Sequence, residues 1–453
     1  MPGKIKNNVL TYEGCNYFRY RLLLSTLSGK PVRITEIRVN DDDPGLREYE
    51  VNFIRLMDKI TNGTRIELNE TGTSVFYTPG LLVGGDFEHE CSLERGISYY
   101  LEAVMMLAPF CKKPVNLKLK GITNNTLDPS VDRLKASAVP VMKQFIIGDS
   151  DVEIKIAKRG VAPLGGGEVS FKCPVNRCLK TVQCQNCGMV KRVRGVACSI
   201  RVSPAIANRM VESAKGVLLK FIPDVYIHTD QTRGASSGKS PGFGLTLVAE
   251  TTEGIFLSGE AFSPLTETGS LPCVPEDLGR EAALYLLDEI YRSGCVDSPF
   301  QSMVALFMAL GKKDISKMTV GPFTQAMTQF LRDLKDFFGI VFKLDMVNTE
   351  ETNNEEQRLI SLTCVGIGYT NINRLQIDST YLLFQQRLGI NITGLRCAGK
   401  NLPLWYCTPY YAGGAGLSPS SFFFVEEAQF RLHDNWTVST SGKSFADSTS
   451  HSF

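Results

Sequence analysis

The sequence predicts an α/β protein in which a repeated strand-and-helix unit is interrupted by a smaller α/β insert. Three observations predict it. A strand, an Asp-Pro turn and a helical pattern occur in that order twice, a different run of strand, helix and strands lies between residues 193 and 258, and the composition has no disordered or collagen-like bias.

In the first unit, residues 32–39 (VRITEIRV) read as a strand, Asp43-Pro44-Gly45 as a turn, and Phe53, Ile54, Met57 and Ile60 as one side of a helix. The second unit repeats the order: residues 115–120 form the strand, Asp128-Pro129-Ser130 the turn, and Leu134, Ala138 and Met142 the helix. Pro fixes φ, and an Asp before it can bond nearby backbone N–H groups, so the turn is a helix start with a mechanism. A third amphipathic helix over residues 322–338, with Phe323, Met327, Phe330, Leu331 and Leu334 on its apolar side, is a candidate third copy.

Between them, residues 193–202 read as a strand, 207–221 as a helix and 225–228 as a strand. A Gly/Ser loop over 234–244 and two strands around 245–249 and 254–258 complete a segment of minimal domain size. Residues 348–358 (NTEETNNEEQR) read as a solvated acidic loop, and the Ser/Thr-rich run 439–453 as disordered.

At 453 residues the chain has room for two or three domains. A net charge of +2 excludes a polycationic binder, so nucleic-acid contact requires a local basic patch. Thirteen scattered cysteines and an N-terminus without an apolar stretch point to a reducing compartment, cytosol or nucleus. No window approaches the ~18 apolar residues of a membrane span, so a soluble protein with no membrane role is expected. The most apolar stretch, residues 101–110, reads as part of an amphipathic pattern.

Five blocks carry a resemblance: TLSGKPVRITEIR (26–38), DDDPGLREYE (41–50), GGGEVSF (165–171), SGKSPGFGLTLVAETTEG (237–254) and GCVDSPFQSMVALFMALG (294–311). In fixed order from about residue 10 to 374, they resemble the RNA 3′-terminal phosphate cyclase superfamily, and more closely its noncatalytic eukaryotic nucleolar branch. The resemblance implies three repeats, each of two helices on a four-stranded sheet, with a small α/β domain inserted late. On this reading residues 1–184 hold repeats one and two, 185–272 the insert, 273–375 the third repeat, and 376–453 an atypical, partly disordered tail.

Such cyclases form an adenylate on an active-site His, because imidazole is a good nucleophile near neutral pH and a good leaving group when protonated. Against the family block Val-Asp-Glu-His-Leu-x-Asp-Gln this chain has Val296-Asp297-Ser298-Pro299-Phe300-Gln301-Ser302-Met303, with Pro299 at the nucleophile's position and Ser298 for the Glu. The four His, at 89, 228, 433 and 451, lie in other blocks or outside the match, so no cyclase activity and no cofactor are expected. Against Glu-Gly-Gly-Gly-Gln-Ile-Leu-Arg, residues 12–19 keep one Gly, Gly14, and Arg19, the latter a candidate anion contact.

The resemblance implies a ribosome-biogenesis factor of the nucleus and nucleolus, acting in early precursor rRNA processing and small-subunit assembly. The implied partners are a nucleolar ribosome-assembly GTPase, the small-subunit precursor particle with its guide small nucleolar RNA, and precursor rRNA. The alternative is an endonuclease for precursor rRNA, or, further off, a residual cyclase.

Candidate contacts for RNA or a partner are the basic strand Lys191, Arg192 and Arg194, and Arg332 with Lys335 on the last amphipathic helix. Asp333, adjacent to them, is the carboxylate a metal-assisted nuclease would need, although one carboxylate is too few for a two-metal site. Gly165-Gly166-Gly167 reads either as a phosphate-binding set of N–H groups or as a turn opening a strand. The loop from Gly234 to Ser240 lacks phosphate-loop spacing and reads as a flexible turn. Cys173, Cys178, Cys184 and Cys187 are the one metal-like spacing, irregular enough that no metal is expected.

Overall fold

The computed structural model describes residues 4–6, 9–147, 152–264, 273–347, 359–371, 390–392 and 407–409. The expected acidic loop at 348–358 lies outside them, as does the tail except for a ribbon of Ile390–Ile392 with Cys407–Pro409. The chain divides into two units, residues 1–374 and 375–453, and the remaining description concerns the first.

One strand–helix–strand–helix–strand–strand order recurs three times. Repeat one comprises β1 (Lys4–Lys6), β2 (Val9–Glu13), α1 (Phe18–Ser28), β3 (Val32–Thr35), α2 (Glu48–Ile60), β4 (Thr61–Asn62), β5 (Arg65–Leu68) and β6 (Val75–Thr78). Repeat two comprises β7 (Leu81–Leu82), β8 (Gly85–Glu90), α3 (Ile97–Leu107), β9 (Val115–Gly121), α4 (Val131–Arg133), α5 (Val139–Phe145), β10 (Glu153–Lys158) and β11 (Gly167–Cys173), a π turn joining α4 to α5. Repeat three opens with β12 (Gln183–Cys184) and is at once interrupted by the insert: β13 (Val190–Ile200), α6 (Pro204–Leu218), β14 (Val225–Thr232), β15 (Gly242–Thr251), β16 (Phe256–Phe262) and α7 (Pro275–Arg292). It resumes with α8 (Gln301–Leu310), β17 (Ile315–Val320), α9 (Gln325–Phe338), β18 (Lys343–Val347) and β19 (Leu359–Val365).

The sheet orders are β1-β2-β3-β6-β5, β10-β11-β9-β8 and β12-β17-β19-β18. In each, one parallel pair (β2 with β3, β8 with β9, β12 with β17) is extended by two strands that add antiparallel, and β1 adds antiparallel to β2 in the first. Parallel neighbours require a crossover, which α1, α3 and α8 supply. One apolar core runs through all three repeats. Every residue of α3 and of α8 is buried, so the apolar stretch at 101–110 belongs to a central helix rather than to the amphipathic pattern expected of it. No helix among the described residues is long and apolar enough to cross a membrane.

The Asp-Pro turns work differently from the expected capping. Asp128 accepts from Gly96 N–H (2.8 Å) and pairs with Arg95, holding the start of α3, while Ser130 Oγ caps its own helix at Arg133 N–H (3.0 Å). Asp43 is held by the Arg47 side chain. The strand expected over 32–39 stops at Thr35, where Glu36 and Arg38 turn to positive φ and Arg38 clamps Glu50 with two hydrogen bonds of 2.7 and 2.9 Å.

The insert has its own sheet, β14-β13-β15-β16, and its own core, to which α7 contributes Leu278, Ala282, Ala283 and Leu286. The boundary drawn at 272 therefore assigns α7 to repeat three although its apolar face packs on the insert. Gly259 makes that packing possible, since a Cβ there would stand 2.3 Å from Leu286 N.

Candidate functional site

Pro299 sits in a short turn, Ser298–Phe300, that leads into α8. It lines a cleft of about 590 Å³ walled by the Asn125–Pro129 loop of repeat two, by β16 and by α7. Beneath Pro299 lies a closed polar network. Arg133 donates to Asp297 Oδ1 (3.1 Å), to Ser258 Oγ (2.6 Å) and to Ser258 O (3.0 Å), and Ser258 Oγ donates in turn to Asp297. Glu260 lies 3.8 Å from Arg133 and accepts from Ser130 N–H (3.0 Å). Glu289 accepts from Ser298 N–H and Oγ, each at 2.7 Å, so the one hydroxyl beside Pro299 is already engaged.

Burial pushes the Glu260 carboxyl above its usual range, and burial together with nearby Asp297 does the same for Glu289. Five carboxylates line the cleft (Asp128, Glu260, Glu281, Asp288 and Glu289) against two guanidiniums, Arg133 and Arg292. The ring of Pro299 has no atom to attack a phosphate bound there. Of this network the sequence reading had the block Asp297-Ser298-Pro299. Ser130 was legible as part of a helix start, but nothing local marked Arg133.

Arg19 is not available as an anion contact. Its guanidinium donates to Tyr99 O (2.6 Å) and Glu102 (2.7 Å) and lies over the rings of Tyr20 and Tyr99. It is one rung of an arginine–tyrosine ladder that the sequence reading missed, with Arg95 over Tyr49 and Tyr99 next to it.

On α9 the three candidate residues separate. Arg332 and Lys335 are exposed, whereas Asp333 faces inward, fully buried. Asp333 accepts from Gln329 Nε2 (2.8 Å) and lies 3.8 Å from Arg21 Nε, which belongs to α1. Burial pushes the Asp333 carboxyl up to about 6 and lowers Arg21, so at this separation the pair does not repay its desolvation. The nuclease carboxylate expected beside Arg332 and Lys335 is thus a core residue that metal and substrate do not reach.

Arg192 and Arg194 do share a face of β13, but each is met by a carboxylate, Glu250 at 2.6 Å and Asp224 at 2.8 Å. Their charge is locally balanced, while Lys191 beside them is exposed.

The two glycine loops occupy each other. Gly238 N–H donates to Arg159 O (2.6 Å), Lys239 N–H to Gly165 O (3.1 Å), and Leu164 N–H to Ser240 Oγ (3.0 Å). A Cβ on Gly238 would stand 2.2 Å from Gly165 O. The glycines thus stitch the insert to repeat two, and the N–H groups of Gly238 and Lys239 are used there rather than on phosphate. Gly238→Ala is expected to cost about 1–3 kcal/mol, the range for overpacking a site that cannot give. An unchanged urea midpoint would show that the loops separate freely.

The four spaced cysteines also part. Cys173 ends β11 opposite Val115, while Cys184 and Cys187 lie where the chain enters the insert. Among the described residues no three of His, Cys, Asp and Glu are grouped to hold a metal ion.

Three copies of one βαβαββ unit, a four-stranded insert between the first strand and first helix of the third, and a cleft at that helix define the class: a cyclase-like fold with Pro299 at the cleft. A sequence model of the family described as RNA 3′-terminal phosphate cyclase matches residues 10–344, and the chain belongs to this family. It is 56% identical over 365 residues to the RNA 3′-terminal phosphate cyclase-like protein of Mus musculus, covering 81% of this chain and 97% of that one. It is 52% identical over 379 residues to the probable cyclase-like protein of Drosophila melanogaster, covering 82% and 99%. To the rRNA processing protein rcl1 of Schizosaccharomyces pombe it is 42% identical over 367 residues, covering 80% and 97%.

Proposed function

We propose that this chain is a noncatalytic factor in rRNA processing, acting in the nucleolus on the small-subunit precursor particle. The observation that carries the reading is Pro299, set over a network in which Arg133, Asp297 and Ser258 satisfy one another and Glu289 holds Ser298. A relative named as an rRNA processing protein, matched over 80% of the chain, supports the pathway. The partners this reading requires are a nucleolar assembly GTPase, the precursor rRNA and its guide small nucleolar RNA.

Incubated with labelled ATP and a divalent metal, the purified chain should retain no covalent adenylate, and RNA 3′-phosphate ends should stay uncyclised. An acid-stable label on the protein, or a cyclic phosphate product, would sink the noncatalytic half of the reading. Absence of precursor rRNA from material recovered with the tagged chain in cells would sink the other half.

A further inference from the structure

Cys184 closes β12, pairing with Met318 of β17 in a parallel register, with Lys317 N–H donating to Val182 O at 3.0 Å. In a parallel ladder of that register the next N–H to reach β17 would be that of residue 186, at Thr319 O. The chain has turned away by then, with Gly188 N–H donating to Asn186 Oδ1 (2.9 Å). The place is taken by the chain returning from the insert: Cys295 N–H donates to Thr319 O at 2.8 Å.

Cys295 therefore meets β17 at Thr319, the residue next to the Met318 with which Cys184 pairs, so the two cysteines flank one point of that sheet edge. The same two chain segments meet again one step out, where Cys187 Sγ lies 3.3 Å from Ser293 Oγ. Cys184 is half-buried and Cys295 buried. Cys184 Sγ donates to Asn186 O at 3.8 Å. Contact with Cys295 lowers Cys184, and contact with Cys184 together with burial raises Cys295, so the half-buried Cys184 is the thiol that a solvent oxidant reaches first.

We infer that Cys184 and Cys295 form a peroxide-responsive dithiol that ties together the two covalent connections of the insert. The Cys184 thiolate attacks hydrogen peroxide, forming an S–O bond as the O–O bond breaks and hydroxide leaves. The Cys295 thiol then attacks the sulfenic sulfur, an S–S bond replaces S–O, and its proton leaves with the hydroxide as water. Two thiols are oxidised by two electrons, and one peroxide becomes two waters. A thiol reductant of the compartment reverses the step.

The test is peroxide titration of the reduced full chain, followed by alkylation of remaining thiols and peptide mapping without reductant. A dithiothreitol-reversible peptide joining Cys184 to Cys295 is expected. In Cys295→Ser the sulfenic acid should persist on Cys184 and take up dimedone, and Cys184→Ser should leave Cys295 unoxidised. A Cys184–Cys187 bond instead would overturn the inference. So would Cys184 and Cys295 both remaining alkylatable after the half-buried Cys178 and Cys273 have oxidised. The mapping on the unsubstituted chain decides even where a variant fails to fold.

Discussion

Arg133→Ala should lower the stability of the cyclase-like unit by about 3–5 kcal/mol at pH 8, because it strands buried carboxylates that share one guanidinium. Asp297 loses an ion pair at 3.1 Å, Glu260 loses its nearest cation, and the hydrogen bonds to Ser258 go with them. The sign of the pH dependence follows from the folded state. Glu260 and Glu289 both have raised pKa values, so each contributes stability that is present at low pH and lost as pH rises through its folded pKa. Without the guanidinium those values rise further, and the deficit of the variant should shrink between pH 8 and pH 5. Asp297→Asn in the same chain should recover part of the loss, as expected of residues in one network. Thermal melts of the parent and the two variants at both pH values test this. A deficit under 1 kcal/mol that does not vary with pH would show that water compensates the carboxylates.

How much of this fold the sequence revealed differs between its parts for a physical reason. The strand–turn–helix units were legible because period-two and period-3.6 patterns are local, and β9, with its strict alternation of buried and exposed residues, is the clearest case. The start of α9 was placed three residues early, since nothing in a helical pattern separates Pro322 from the Thr324 side chain that caps Met327 N–H. The place of α7 was not legible at all. Its apolar face suits either core, and long-range close approaches, Gly259 to Leu286 and Gly279 to Met210, decide between them.

The site was less legible than the fold, since its determinants are long-range. The Arg133–Asp297 pair joins residues 164 positions apart, and an isolated helix Arg reads as a solvated charge. Asp333 is a different case, in which the signal was present and went unused. Phe330 and Phe337 mark the buried stripe of α9, and Asp333 falls three residues after one and four before the other. Adjacent positions on a helix point about 100° apart, so Asp333 cannot share the exposed face of Arg332.

That separation sharpens what α9 can be asked. If Arg332 and Lys335 meet phosphates, Arg332→Glu with Lys335→Glu should weaken association with precursor rRNA on the order of a hundredfold at moderate salt. It should also flatten the dependence of log affinity on log salt by about two units, one for each lost contact. Both side chains are exposed, so the melting transition should stay within about 0.5 kcal/mol of the parent. Asp333→Asn should behave in the opposite way. It leaves the surface charge intact, so RNA binding and its salt slope should persist, while the pH dependence of stability changes. With a folded pKa raised to about 6, Asp333 contributes stability that is present in acid and lost as pH rises through that value. The Asn variant should therefore lack the part of the stability change between pH 5 and pH 8 that the parent shows. Loss of rRNA processing with binding and pH profile unchanged would return Asp333 to a catalytic role. Unchanged RNA affinity after the double reversal would move the contact surface away from α9.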